Sequence, residues 1–222
     1  MEIHIITAFP DMFKSPFEES IVKRAKDKGI VKILIHDLRD WTTDNHKTID
    51  AKPYGGGAGM VMLFEPIYKA VSDIKKYLPH KSVKVILTSA KGEEFSQQHA
   101  QNFAKSDALI IICGHYEGVD ERVNIHLVDH EISIGKFVLT GGELPAMMIT
   151  DSTIRLLPGV LGNEESLSFE SYTDGKTTES PHYTRPAVIK IDGDTELKVP
   201  DVLIGGNHKE IENWRKENTK SN

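Results

Sequence analysis

The sequence predicts an α/β fold: a parallel sheet with helices on both faces. Two observations carry that expectation. Short apolar strands alternate with helical stretches along most of the chain, the pattern of strands joined by crossover helices. Two strand-to-helix turns are also built on glycine, Cys113-Gly114-His115-Tyr116-Glu117-Gly118 and Gly141-Gly142. The second lies in Ile132 to Met148, ISIGKFVLTGGELPAMM, read as an extended run, then Gly-Gly, then an apolar helix opened by Glu143, Leu144 and Pro145. Proline suits a first helical turn, where its missing N–H costs nothing. Glycine before that turn lets backbone approach a ligand with no Cβ in the way. Turns of this kind suit a small-molecule site at the C-terminal edge of a sheet. They suit simple tight turns as well.

In chain order, Ile3 to Thr7 reads as a strand that Phe9-Pro10 breaks, and Ser15 to Lys28 as a helix stopped by Gly29. Val31 to His36 alternates like a strand. Asp37 to Gly59 has no periodicity and contains Pro53-Tyr54-Gly55-Gly56-Gly57-Ala58-Gly59; a long glycine-rich loop in a compact domain is more often functional than idle. Phe64 to Leu78 is a helix with Pro66 in its first turn, and Val83 to Leu87 a strand. Ser96 caps a helix to about Lys105, Ala108 to Ile112 is a strand, and Val119 to Leu127 is a helix. The helix from Glu143 ends near Leu157, before Pro158-Gly159. Gly162 to Ser180 is polar, with almost no aliphatic residues, and reads as a linker. His182 to Asn222 reads as a small helical unit in which Asn207 caps a helix through Ile211 and Trp214. About forty residues make a poor independent core, so this unit must lean on something else.

The chain of 222 residues is long enough for a full core in one or two domains. No run is long enough to span a bilayer, and Met1-Glu2-Ile3-His4 lacks the features of a signal peptide. A single cysteine, Cys113, excludes an internal disulfide framework and fits a reducing cytoplasm. No CxxC or HExxH pair announces a zinc site. The net charge of −6 argues against an all-over nucleic-acid coat. An RNA partner would need local basic stripes. Candidates are Lys23, Arg24, Lys26 and Lys28 on the first helix, and Arg185, Lys190, Lys209, Arg215 and Lys216 near the end.

Two glycine-bearing motifs fail as nucleotide loops. Met60 stands where a dinucleotide fingerprint started at Gly55 would need its third glycine. Glu170 to Thr177 has Glu for the first glycine of a phosphate loop and no strand before it. Cys113 suggests a nucleophile with His115 as base, although a small buried residue closing an apolar strand is the simpler reading. His126 and His130 could face one side of a helix as metal ligands, but surface or strand-end histidines explain them as well. Arg155, at the end of an apolar helix, suits the helix dipole or a carboxylate partner.

Three runs taken together, CGHYEGVDERV from Cys113, SIGKFVLTGGELPA from Ser133 and PHYTRP from Pro181, resemble the bacterial tRNA (guanine-N1) methyltransferases of the SPOUT class. The resemblance extends from Ile3 to His208. It implies a C-terminal trefoil knot in a methyltransferase domain over residues 1–160, a flexible linker over 161–180 and a small helical tRNA-binding domain over 181–222. It also implies a cytoplasmic homodimer with a composite active site, S-adenosylmethionine as methyl donor, Mg²⁺ as an aid, and the guanine 3′ of the tRNA anticodon as substrate. The donor would be held by the backbone of Leu87, Thr88, Ser89, Gly114, Ser133, Ile134 and Gly135, together with Val138, Leu139, Gly141 and Gly142. Tyr116 and Glu117 would line the same pocket and Pro145 would shape the knot loop.

Asp151-Ser152-Thr153-Ile154-Arg155 matches the family's D-S-x-x-R, which makes Arg155 the residue that stabilises charge on guanine O6. Glu170, before Ser171-Tyr172, stands where the family has an aspartate as general base; it keeps the carboxylate on a longer arm. Other departures are Ala58 and Ala90 for proline, Lys176-Thr177 for two leucines, and a tail after Trp214 shorter than the family's. Rival readings are a catalytically idle knotted RNA-binding module and a hydrolase using Cys113.

Overall fold

Ala108-Leu109-Ile110-Ile111-Ile112-Cys113 is apolar at every position, and every residue of it is buried. A strand needs that composition when both faces of its sheet are covered. In the computed structural model, which describes residues 1–14, 16–162, 170–193 and 195–221, this strand is central to a parallel five-stranded sheet. The chain divides into two units, Met1–Gly162 and Asn163–Asn222.

The first unit contains β1 (Glu2–Thr7), α1 (Ser20–Asp27), β2 (Lys32–Asp37), the two-residue strands β3 (Asp50–Ala51) and β4 (Val61–Met62), α2 (Phe64–Lys76), β5 (Val83–Glu94), α3 (Gln97–Phe103), β6 (Ala108–Cys113), α4 (Glu121–Leu127), β7 (His130–Ser133) and α5 (Glu143–Ile154). The sheet order is β2-β1-β6-β5-β7, while β3 and β4 pair with each other. Because strand side chains alternate, β6 feeds two cores. Leu109, Ile111 and Cys113 pack with Val22 of α1, Phe103 of α3, and Ala146, Ile149 and Ile154 of α5. Ala108, Ile110 and Ile112 pack with Ile67, Val71 and Ile74 of α2 and Val123 of α4. The connection after β5 therefore leaves on one face and the connection after β6 on the other. A crevice at the strand ends follows from that divergence.

Several boundaries differ from the sequence expectation, each for a local reason. Ser15, the expected start of the first helix, lies outside the described residues. Pro16–Glu18 makes a separate 3₁₀ turn that buries Phe17, so α1 begins only at Ser20. Gly29 ends that region with φ +69, as expected of a helix stop. Val119 is bridged to Met62, and Asp120 caps the next helix by accepting from the Arg122 amide at 3.0 Å, so α4 starts at Glu121 rather than Val119. The strand from Val83 continues past Leu87 to Glu94, because after a register shift Glu93 and Glu94 pair again with Ile132 and Ser133. The extended run from Ile132 stops at Ser133, where the Ser133 hydroxyl donates to the Gly135 carbonyl at 3.0 Å and Gly135, at φ +143, turns the chain.

The second unit contains β8 (Thr177–Thr178), β9 (Val188–Ile191), β10 (Thr195–Lys198), α6 (Asp201–Ile204), α7 (His208–Asn218) and β11 (Lys220–Ser221). The expected helix through Ile211 and Trp214 is present as α7, with Asn207 at its N-cap position but making no side-chain capping hydrogen bond, whereas α6 was not read from the sequence. The β9–β10 hairpin and the β8–β11 pair were not read from the sequence. Residues 163–169 of the expected linker lie outside the described residues. Residues 170–176 form a turn that leads into β8, and the Tyr172 amide donates to the Thr177 carbonyl at 2.6 Å. Neither α6 nor α7 buries a residue, and Ile189 and Leu197 are 47% and 50% exposed.

Candidate active site

Beside the middle of β5 and the C-terminal ends of β6 and β7 the first unit opens a cleft of about 260 Å³. Its walls come from Leu87 to Lys91 in the middle of β5, the turn after β6, the end of β7 and the loop leading into α5. The Gly-Gly pair sets their separation. The Gly142 amide donates to the Gly114 carbonyl at 2.7 Å, and His115 bridges Gly141. A Cβ on Gly142 would lie 1.9 Å from Thr88 Oγ1 and 2.8 Å from the Gly114 amide nitrogen. No larger residue fits there without moving backbone. Thr88 Oγ1 in turn donates to the Ile112 carbonyl at 3.2 Å and accepts from the Gly114 amide at 3.4 Å.

Every residue that the family resemblance marks for the donor lines this one cleft. Leu87, Thr88 and Ser89 come from β5, and Gly114, Tyr116 and Glu117 from the turn after β6. Ser133, Ile134 and Gly135 come from the end of β7, Val138, Leu139, Gly141 and Gly142 from the following loop, and Pro145 from α5. Tyr116 holds a left-handed φ of 58°, a conformation that non-glycine residues adopt rarely and often at functional sites. The glycine-rich loop reaches the turn beside it: the Glu117 amide donates to the Met60 carbonyl at 3.0 Å, and the Met62 amide to that of Gly118 at 2.9 Å.

Sequence reasoning missed part of the lining. Phe137, His115 and Lys91 belong to it, as do Glu121, Asn124 and Glu131. Glu121 and Asn124 are three apart on α4, a spacing that could have marked a shared face. The Asn124 side chain also reaches Glu131 on β7 at 3.0 Å. Ala90 and Lys91 also line the cleft, within the register shift between Thr88 and Glu93, and no sequence signal marks that shift.

Arg155 is the C-cap of α5 and half-buried, with its amide donating to the Asp151 carbonyl at 3.2 Å. Glu170 is half-buried in the second unit, where its carbonyl accepts from Thr173 Oγ1 at 2.7 Å. Asp174 follows, its carboxyl pulled down to about 2 by the Thr177 hydroxyl and then by the Lys176 and Thr177 amides.

Cys113 is fully buried, and burial, then the charge of Glu143, pushes its thiol well above the usual range. A buried, protonated thiol is no nucleophile, which removes the basis of the hydrolase reading. His126 is in the last turn of α4 whereas His130 begins β7 against the Phe103 ring, so they do not share a helical face. Among the described residues no group of three or more His, Cys, Asp or Glu side chains could hold a metal ion. A preformed Mg²⁺ site is therefore not supported by these residues. On α1, Lys23 and Lys26 pair with Asp27 and Glu18 at 2.6 and 2.5 Å, which weakens the first expected basic stripe. No helix among the described residues is long and apolar enough to cross a membrane.

A doubly covered parallel sheet with a small-molecule cleft where its strand connections diverge defines a ligand-binding α/β protein of the kind that hosts group-transfer chemistry. The family model described as tRNA (Guanine-1)-methyltransferase TrmD matches residues 1–222. A tRNA (guanine-N(1)-)-methyltransferase of Citrifermentans bemidjiense is 50% identical over 217 residues, 98% of this chain and 84% of that protein. One of Dehalococcoides mccartyi is 52% identical over 217 residues, 98% and 85% of the two chains, and one of Bacillus cereus 51% identical over 215 residues, 97% and 85%. The chain belongs to the tRNA (guanine-1)-methyltransferase family.

Proposed function

We propose that this protein methylates N1 of the guanine immediately 3′ of the anticodon in tRNA, with S-adenosylmethionine bound in the cleft beside β5 and the ends of β6 and β7. Family membership makes it a methyltransferase of tRNA guanine N1 and implies that donor. The position in tRNA and the residue roles are our reading. The observation that carries it is the convergence on one cleft of all the residues matched to the family's donor site. The cradle fits such a ligand: Gly141 and Gly142 leave bare backbone, Leu87, Ile132 and Pro145 offer apolar wall, and Glu117 can favour a positive charge. When bound, the donor supplies a methyl group already activated by its sulfonium.

The protein's task is to make guanine N1 a nucleophile. In neutral guanine N1 carries a proton, and removing it moves negative charge onto O6. Glu170 acts as general base at N1–H, and the Arg155 guanidinium stabilises the charge on O6. Asp174 is a poor substitute base, since its carboxylate is committed to the Thr177 turn and held at about 2.

The proposal includes a cytoplasmic homodimer in which one chain holds the donor and the other supplies Glu170. Two observations support it. Leu144 and Met148, one turn apart on the outer side of α5, are each 50% exposed. The second unit leaves Ile189 and Leu197 half-exposed, as a body without a full core of its own does. The trefoil knot enters on similar footing: after edge strand β7 the chain returns across the ends of β5 and β6 at Gly141–Gly142 before α5 packs against β1 and β6. For tRNA, the second unit offers a cavity lined by Tyr183, Arg185, Trp214 and Arg215, aromatic faces and guanidinium groups suited to bases and phosphates. The test is methyl transfer to tRNA transcripts that differ only at the target guanine. Transfer should require guanine at that position, and equal transfer to a transcript carrying adenine there would refute the assignment.

A further inference from the structure

Glu143 opens α5 yet is only 1% exposed. A carboxylate withdrawn from water is costly unless its lone pairs are met. Oε1 accepts from the Thr7 hydroxyl, at the end of β1, at 2.8 Å. Oε2 lies 3.7 Å from His115 Nδ1, and that nitrogen is buried without a hydrogen-bond partner among the described residues. The Gly141 backbone closes over both atoms: a Cβ there would stand 2.3 Å from Glu143 Oε2 and 2.4 Å from His115 Nδ1. The His115 ring is held from its other sides by Phe9 and Tyr116, with centroids at 4.6 and 4.9 Å. One buried carboxylate thus joins the end of β1, the turn after β6 and the start of α5. His115, Gly141 and Gly142 line the cleft, whereas Glu143 and Thr7 do not.

We propose that Glu143 is a positioning residue for the donor cleft: held by the Thr7 hydroxyl and facing His115 Nδ1–H, it fixes Gly141–Gly142 against the Cys113–Gly118 turn at the separation the donor requires. This inference rests on the donor reading above. At 3.7 Å the carboxylate faces the ring nitrogen without hydrogen-bonding it. Anchored on its other oxygen by the Thr7 hydroxyl, it gives the ring a fixed neighbour, the kind of support that preorganises a pocket. Glu143 touches no reacting atom, so its loss acts on donor affinity and not on the chemical step.

The test is calorimetric titration of S-adenosylmethionine into wild type, Thr7→Val, Glu143→Gln and the double variant, with single-turnover rates at saturating donor. Thr7→Val keeps shape and removes only the hydroxyl, which also accepts from the Phe9 amide at 2.9 Å. Thr7→Ser keeps both bonds and is expected to bind as wild type. Each of Thr7→Val and Glu143→Gln should raise Kd about tenfold. The double variant should be no worse than the poorer single one, and saturated rates should stay within about threefold of wild type. If Glu143→Gln does not fold, Thr7→Val decides alone. Wild-type affinity in a folded Thr7→Val protein would overturn the positioning role, as would losses that simply multiply in the double variant. No binding by the wild type would overturn the donor reading and this inference with it.

Discussion

The Gly142 amide and the Gly114 carbonyl meet at 2.7 Å, and this bond clamps the start of α5 onto the turn after β6. With Thr88 Oγ1 occupying the space a Cβ would need, Gly142→Val should distort that clamp. We expect S-adenosylmethionine affinity to fall by about 100-fold or more, read by calorimetry on a protein whose circular dichroism matches wild type. In a Gly142→Ala background, Thr88→Ala should restore part of the loss but not all, because the Gly114 backbone remains in the way. Unchanged affinity in folded Gly142→Val would place the donor elsewhere.

Glu170→Gln removes the proton acceptor while keeping shape, and Arg155→Ala removes the partner of O6. Each should slow single-turnover methyl transfer by about 10²-fold or more with donor affinity little changed. A rate near wild type for Glu170→Gln would sink the base assignment. Asp174→Asn should act on the turn and leave the rate within a few-fold.

A shared site predicts complementation. Gly142→Val and Glu170→Gln, co-expressed under different tags and purified as the mixed dimer, would place both lesions in one site and neither in the other. Activity should return to roughly half that of the wild-type dimer. A folded, dimeric but inactive mixture would show that each chain carries its own complete site.

His4 and His36 stack on neighbouring strands with ring nitrogens 3.0 Å apart. Burial, then the facing His4, holds His36 down at about 4, and burial also lowers His4. The unfolded chain takes up protons from about pH 6.5 downward that the folded chain refuses. Stability should therefore be full above about pH 6.5 and fall as the pH drops from there through about 4. His36→Phe should flatten that slope in thermal melts, and an unaltered slope would show that other groups set the acid limit.

Cys113→Ser should leave methyl transfer within a few-fold of wild type, and Cys113 should resist iodoacetamide until the protein unfolds. Rapid alkylation of the native protein with loss of activity would return Cys113 to the site.

What the sequence determined by itself is mostly local. The alternation of strand and helix patterns implied a parallel sheet covered on both faces, with apolar Ala108 to Ile112 as one of its strands, and the structure buries that strand throughout. Gly141-Gly142 before Pro145 implied close backbone approach, and long specific motifs carried the family and with it the residues proposed to hold the donor. The tertiary structure alone decided what depends on distant partners. Val119 gives its expected helical place to a bridge with Met62, and β5 runs on to Glu94 because β7 offers it an edge after a register shift. Glu143 reads in sequence as an ordinary acidic residue in a first helical turn. Only the fold, by bringing Thr7 from the end of β1 and His115 from the turn after β6 to its two oxygens, makes it a buried carboxylate beneath the cleft.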